Sequence, residues 1–281
     1  MVTMRFAIAV ALLLGGFLAP GFAPATDRSL LRDYLLVSWY GNPRSAGMGI
    51  LGERTGAARA AGLRQQAEAY APLTSKRVLM AYHLVAVVAQ CTPGADGLWR
   101  RRETRDVIQE LLDEARANGF RLVLDIQPGR STVPDEVDAL ASFLAEPDVD
   151  LALDPEFGMS DCEVPGKQIG ALRAADVNAA LDRLEAAIAA RGLPPKILIV
   201  HQFRLDMLPD KTKIRGSAVV DVVLDMDGFG SQPLKLASYR AVMRQPLAFA
   251  GIKLFYRQDS GLFTPAQVMS LSPTPAVVIY Q

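Results

Sequence analysis

Eight short apolar runs, rich in Val, Ile and Leu, recur along this 281-residue chain, and most of them close on a polar or ionisable side chain. They span 35–41, 77–89, 120–127, 148–156, 195–203, 218–227, 249–256 and 275–280. Their ends carry Tyr40 and Asn42, His83, Asp125 and Gln127, Asp154 and Glu156, His201, Asp225 and Asp227, Lys253 and Tyr256, and Tyr280. Near-continuous apolar runs of this length read as parallel strands covered by helices. Helical patterning separates most of them: 56–70, 103–118 with Val107, Leu111, Leu112 and Ala115 on one stripe, 134–145, and 175–191 stopped by Gly192. Shorter helices are predicted over 205–216, 235–245 and 265–271. This alternation predicts an α/β fold, a (β/α)8 barrel whose strand C-termini share one mouth. An open doubly wound sheet is the alternative. The chain stops just after the eighth run, so the usual final helix is missing, and 27–34 are predicted to cover the gap.

The first residues read as an export signal. Arg5 precedes an apolar stretch from Phe6 to Phe17, and Ala23-Pro24-Ala25 supplies the small residues a signal peptidase needs. Residues 1–25 are assigned to the signal, with an uncleaved anchor as the alternative, and 26–281 to a single barrel domain. The expected location is extracytoplasmic: secreted, periplasmic or cell-envelope. No later segment is long enough to cross a bilayer, so no further membrane contact is expected. Thirty basic residues balance thirty acidic ones, which argues against a nucleic-acid partner. Arg100-Arg101-Arg102 reads as a solvated helix entrance. In an oxidising compartment Cys91 and Cys162 are expected to form a disulfide between two mouth loops. Long loops at 41–55, 90–102 and 157–174 all follow strand C-termini, which is how a barrel builds a cleft.

Side chains alternate across a strand, and this parity sorts the polar residues. Leu151 and Leu153 face the helices, which turns Asp154 and Glu156 toward the axis. Leu122 and Leu124 face out, with Asp125 and Gln127 inward. Asp221, Val223, Asp225 and Asp227 share the inner face, and Lys253 lies between outward Ile252 and Leu254. Two carboxylates as close as Asp154 and Glu156 raise one another's proton affinity, so one becomes a usable general acid. The only two histidines, His83 and His201, fall at the same rim. A metal reading is open, with His83, Asp125, Glu156, His201 and Asp227 as ligand candidates, although no H-x-H or H-E-x-x-H spacing accompanies them. Gly47-Met48-Gly49-Ile50-Leu51-Gly52 spells G-x-G-x-x-G but starts several residues after the first strand, and it reads as a packed mouth loop. No cofactor is expected. Trp39, Tyr40, Trp99, Phe157, Phe229, Tyr256 and Tyr280 lie near strand ends, where aromatic rings stack on sugars or pack loops.

The Asp154-Pro155-Glu156 strand end resembles the retaining Asp-x-Glu glycoside hydrolases of the chitinase and Chalaropsis-type muramidase kind, as an exported bacterial barrel family distantly related to them would. In the fuller chitinase motif, D-x-x-D-x-D-x-E, Val149 and Ala152 stand where the first two aspartates would be. The resemblance implies that Glu156 protonates the glycosidic oxygen and that Asp154 assists it. The expectation is therefore an exported, monomeric glycosidase-like hydrolase acting on a polysaccharide, a cell-wall glycan or another small polar substrate. Asp225 or Asp227 supplies the second carboxylate. Tyr40, His83, Asp125, Gln127, His201, Lys253 and Tyr256 position substrate. A metal-dependent hydrolase and a non-catalytic glycan-binding barrel are the alternatives.

Overall fold

The computed structural model describes residues 29–281, so the predicted export signal lies outside the described residues. Its strands are β1 (Tyr34–Gly41), β2 (Arg77–Ala89), β3 (Arg100–Arg102), β4 (Arg121–Ile126), β5 (Val149–Leu153), β6 (Lys196–His201), β7 (Val220–Met226), β8 (Phe249–Leu254) and β9 (Val277–Tyr280). Eight of them run parallel in the order β1-β9-β8-β7-β6-β5-β4-β2, and β2 pairs back with β1. The sheet is closed. It is a (β/α)8 barrel, and the open doubly wound alternative falls. The ninth strand, β3, is a three-residue antiparallel flap on the end of β2.

The helices are α1 (Ile50–Glu53), α2 (Gly56–Glu68), α3 (Arg105–Ala117), α4 (Val133–Ala139), α5 (Ala141–Leu144), α6 (Ala174–Arg191), α7 (Gln232–Val242) and α8 (Pro265–Met269). The stripe on α3 buries Val107, Ile108, Leu111, Leu112 and Ala115 against the sheet. Gly192 ends α6 in the left-handed conformation, its N–H reaching the Ile188 carbonyl, as a C-terminal glycine allows. The predicted helix over 205–216 does not form. Pro209 cannot sit inside a helix, and the segment breaks into two 3-10 turns at Leu205–Met207 and Lys211–Lys213. The predicted 134–145 helix is interrupted at Leu140 and becomes α4 and α5.

Parity organises the core. Leu35, Val37, Leu122, Leu124, Leu151, Leu153, Leu198 and Val200 pack outward against the helices. Leu36, Ala81, Val123, Ala152, Ile197, Ile199, Val223, Val277 and Ile279 fill the barrel interior. The interior is apolar in its middle and polar at the mouth, and Arg121 and Asp150 form a further polar pair at its N-terminal end.

The described residues before β1 do not form an outer helix. Leu31 instead plugs the N-terminal end of the barrel, fully buried in the interior cluster. The N–H groups of Leu30 and Leu31 both donate to Asp221 Oδ2 at 2.8 Å. Removing the plug leaves a cavity that strands on all sides cannot close. Leu31→Ala is therefore expected to cost about 2–4 kcal/mol. Urea denaturation checks this; a loss below about 0.5 kcal/mol would mean that the plug carries no stability.

Two further expectations are corrected. Arg100-Arg101-Arg102 is β3 rather than a helix entrance, and Arg100 Nε and Arg102 Nε hold the buried Glu136 carboxylate at 2.8 and 2.7 Å. Cys91 and Cys162 are exposed free thiols, so the expected disulfide is not formed. Both sit in solvent-facing loop segments, outside the packing that would hold two thiols together.

Candidate active site at the barrel mouth

A cleft of about 790 Å³ opens at the C-terminal ends of the strands. Tyr40, Gln127, Asp154, Glu156, Asp227 and Lys253, all predicted site residues, line it. Strand β5 ends at Leu153, and Asp154 leads into a 3-10 turn, Pro155–Phe157. Pro155, which has no N–H to extend the ladder, ends the strand. Glu156 thus reaches the cleft from a turn, not from the strand alternation expected of it. It is half-buried, whereas Asp154 is sealed.

The other predicted residues divide into two groups. His83, Asp125, His201 and Asp225 are fully buried beneath the cleft floor. Tyr40 joins the two levels: its hydroxyl donates to Asp125 Oδ2 at 2.8 Å, and its ring carries the Lys253 ammonium 3.4 Å from its centroid. His201 Nδ1 lies 2.9 Å from Asp225 Oδ2. Room for Asp225 comes from Gly251 on β8, where a Cβ would meet Asp225 Oδ1 at 2.7 Å. Asp227, just past the end of β7, and not Asp225 within it, is the carboxylate that meets the cleft. Gln127 fixes the cleft wall, accepting the Ala89 N–H at 3.1 Å and donating to Asp154 Oδ2 at 3.3 Å.

Tyr256 is not at the mouth. It shares the parity of outward Ile252 and Leu254, its hydroxyl donates to Gln66 Oε1 at 2.9 Å, and its ring stacks on Tyr280. Trp39 and Tyr280 likewise belong to the outer, helix-packed cluster, and Trp99 stacks with Arg130. Phe157 and Phe229 do line the cleft. Phe203 and Phe255, which also line it, escaped the sequence reading. Each lies two residues beyond an inward residue, His201 or Lys253, so parity carried past the strand end marks both. The glycine-rich loop is packed as expected: Cβ atoms at Gly49 and Gly52 would fall 2.5 Å from the Tyr40 carbonyl oxygen and 2.3 Å from the Asn42 carbonyl oxygen.

Burial dominates the electrostatics. It pushes the Glu156 carboxyl up to about 7, with Asp227 adding to the rise, Lys253 opposing it and Asp125 raising it further. Asp154 is held well above the usual carboxylate range by burial and then by Glu156. Burial also raises Asp125 and Asp227, and it lowers His83 and His201, both of which feel Lys253 as well. The folded chain therefore holds the Glu156 proton more tightly than the unfolded chain does. Stability is lost as pH rises from the ordinary glutamate range to about 7, and the loss is complete above it. Glu156→Gln removes this penalty. At pH 8 the variant is expected to be about 1–3 kcal/mol more stable than the native chain, with the advantage gone near pH 4. Urea denaturation at the two pH values reads both limbs, and an equal difference at both pH values would contradict the assignment.

Among the described residues, donor atoms of His83, Asp125 and His201 all lie within 4.8 Å of one another. Glu156 and Asp227, the other predicted ligand candidates, fall outside that set.

No known protein family matches the sequence, and neither does any curated protein. Among solved structures, the chain is similar to a GH18 chitinase from Pseudoalteromonas aurantia over 88% of its own length and 93% of the chitinase chain, at 12% identity and a TM-score of 0.44. It is also similar to the GH20 β-N-acetylhexosaminidase from Streptomyces coelicolor A3(2), over 89% of its own length and 59% of that chain, at 12% identity and a TM-score of 0.39. Likeness at this level assigns no residue of the site a role. The barrel itself rests on the strand pairing.

Proposed function

We propose that this chain is an exported glycosidase-like hydrolase that cleaves a polysaccharide or cell-wall glycan by carboxylate acid/base chemistry. One observation carries the reading: Glu156 reaches an open cleft whose wall also holds Asp154 and Asp227, and burial keeps its proton near neutral pH. A protonated carboxyl beside a glycosidic oxygen is the acid such a reaction needs. Asp154 supports it from beneath, and Asp227 is the second carboxylate. Tyr40, Gln127 and Lys253 offer polar contacts to hydroxyl groups. Phe157, Phe203, Phe229 and Phe255 give the cleft the apolar faces on which sugar rings stack.

The test is release of reducing ends from a panel of cell-wall glycans and β-linked polysaccharides, run on the native chain and on Glu156→Gln. Activity confined to the native chain supports the reading. Equal activity in both overturns the assignment of Glu156, and glycan binding without turnover favours a non-catalytic glycan-binding barrel. The anomeric form of the first product then separates retention from inversion. The metal-dependent alternative finds less support in the cleft, because its histidines lie sealed below the floor.

A further inference from the structure

The polar layer beneath the cleft is not explained by acid/base chemistry at Glu156. His83 and His201 project into the closed barrel from β2 and β6, both fully buried. Neither nitrogen of His83 has a hydrogen-bond partner, nor does His201 Nε2 or Asp125 Oδ1. A buried polar atom without a partner is costly, and the Nε2 atoms of His83 and His201, both turned toward Asp125, call for a common one.

The geometry points to a buried binding site for a divalent first-row transition metal, Zn²⁺ foremost, formed by His83, His201 and Asp125 in the barrel core. His83 Nε2 and His201 Nε2 lie 3.8 and 3.7 Å from the same oxygen, Asp125 Oδ2. That is too long for a hydrogen bond. Ligand atoms each ~2.1 Å from one ion and about 109–120° apart stand roughly 3.4–3.6 Å from each other, so the two nitrogen–oxygen separations need a contraction of only a few tenths of an ångström, and all three donors already lie within 4.8 Å of one another. The tautomer agrees. Donation from His201 Nδ1 to Asp225 Oδ2, 2.9 Å away, leaves Nε2 a lone pair facing Asp125. A carboxylate on the far nitrogen of a metal-bound imidazole is the usual orienting partner, and Tyr40 orients Asp125 in the same way through its 2.8 Å hydrogen bond.

Two imidazoles and one carboxylate select a borderline transition metal over Mg²⁺ or Ca²⁺, which prefer oxygen. The metal would sit below the floor, ordering Asp125 and through it Tyr40, and would not contact substrate.

The experiment uses the full mature chain, stripped with a chelator and reloaded with Zn²⁺ or Co²⁺ by direct addition and by refolding in its presence. The expected results are one metal per chain after desalting, a rise in Tm of about 5 °C or more, and a visible Co²⁺ spectrum. X-ray absorption on the Zn²⁺-loaded native chain should show two imidazole nitrogens among the ligands. His83→Gln and His201→Gln should each weaken binding at least about 100-fold, while Glu156→Gln binds as the native chain does. No stoichiometric uptake by either route overturns the site, and so does a ligand shell without imidazole. If the histidine variants do not fold, the absorption measurement on the native chain decides. Loss of the metal site with hydrolysis still dependent on Glu156 would leave the proposed function standing, and a metal site with activity indifferent to Glu156 would do the reverse.

Discussion

Glu156→Gln is expected to lower kcat for glycan hydrolysis by about 10²–10⁴-fold, the usual contribution of a positioned general acid. KM should stay close to the native value, because Gln keeps the size and polarity of the cleft wall and the change removes only the proton delivered in the transition state. The loss should shrink sharply for aryl glycosides with acidic leaving groups, which depart without protonation. The native chain should also lose kcat/KM as pH rises above about 7, since burial and Asp227 place the Glu156 proton there and only the protonated form is an acid. Steady-state kinetics on paired substrates across pH 5–9 checks all three. A uniform loss regardless of leaving group would mean that Glu156 shapes the cleft and does not donate a proton.

The largest stability effect is expected at the opposite end of the barrel. Asp150 is fully buried at the start of β5 and accepts hydrogen bonds from Arg121 Nε at 2.6 Å and Nη2 at 2.9 Å, and from the Ile197 N–H at 2.9 Å. Asp150→Ala leaves a guanidinium in a largely buried position without its counter-charge, together with an unpaired N–H. Breaking a buried pair from one side costs about 3–5 kcal/mol. Asp150→Asn, which keeps an acceptor, should cost less. Replacing both partners by leucine should recover much of the loss, because the penalty comes mainly from the stranded charge. Urea denaturation of the three variants reads these terms, and a loss below about 1 kcal/mol in Asp150→Ala would show that water reaches Arg121.

Much of the site could be read along the strands. Period-two alternation put Asp125, Gln127, Asp154, Asp225, Asp227 and Lys253 on the inner side, and the closed barrel has them there. Where the same rule was not carried through, the reading failed: Tyr256 follows the outward parity of Ile252 and Leu254, and Phe203 and Phe255 follow the inward parity of His201 and Lys253. The predicted helix over 205–216 failed for a local reason, since Pro209 outweighs its surroundings. The arginine run at 100–102 and the plug at Leu31 failed for a non-local one. Their partners, Glu136 and Asp221, are distant in sequence, and no local pattern announces them.

What the sequence by itself determined is the set of faces: eight strands with apolar outer sides and polar ends, because alternation is a property of the backbone and needs no partner. What only the tertiary structure decided is depth. Closure of the barrel placed Glu156 and Asp227 at an open cleft and sank His83, Asp125, His201 and Asp225 below its floor. Depth depends on how far each strand runs before its neighbours cover it, a sum of long-range pairings and of the loops that follow the strand ends. Proton affinity follows depth through desolvation, so the chemistry of these carboxylates was fixed only when the sheet closed around them.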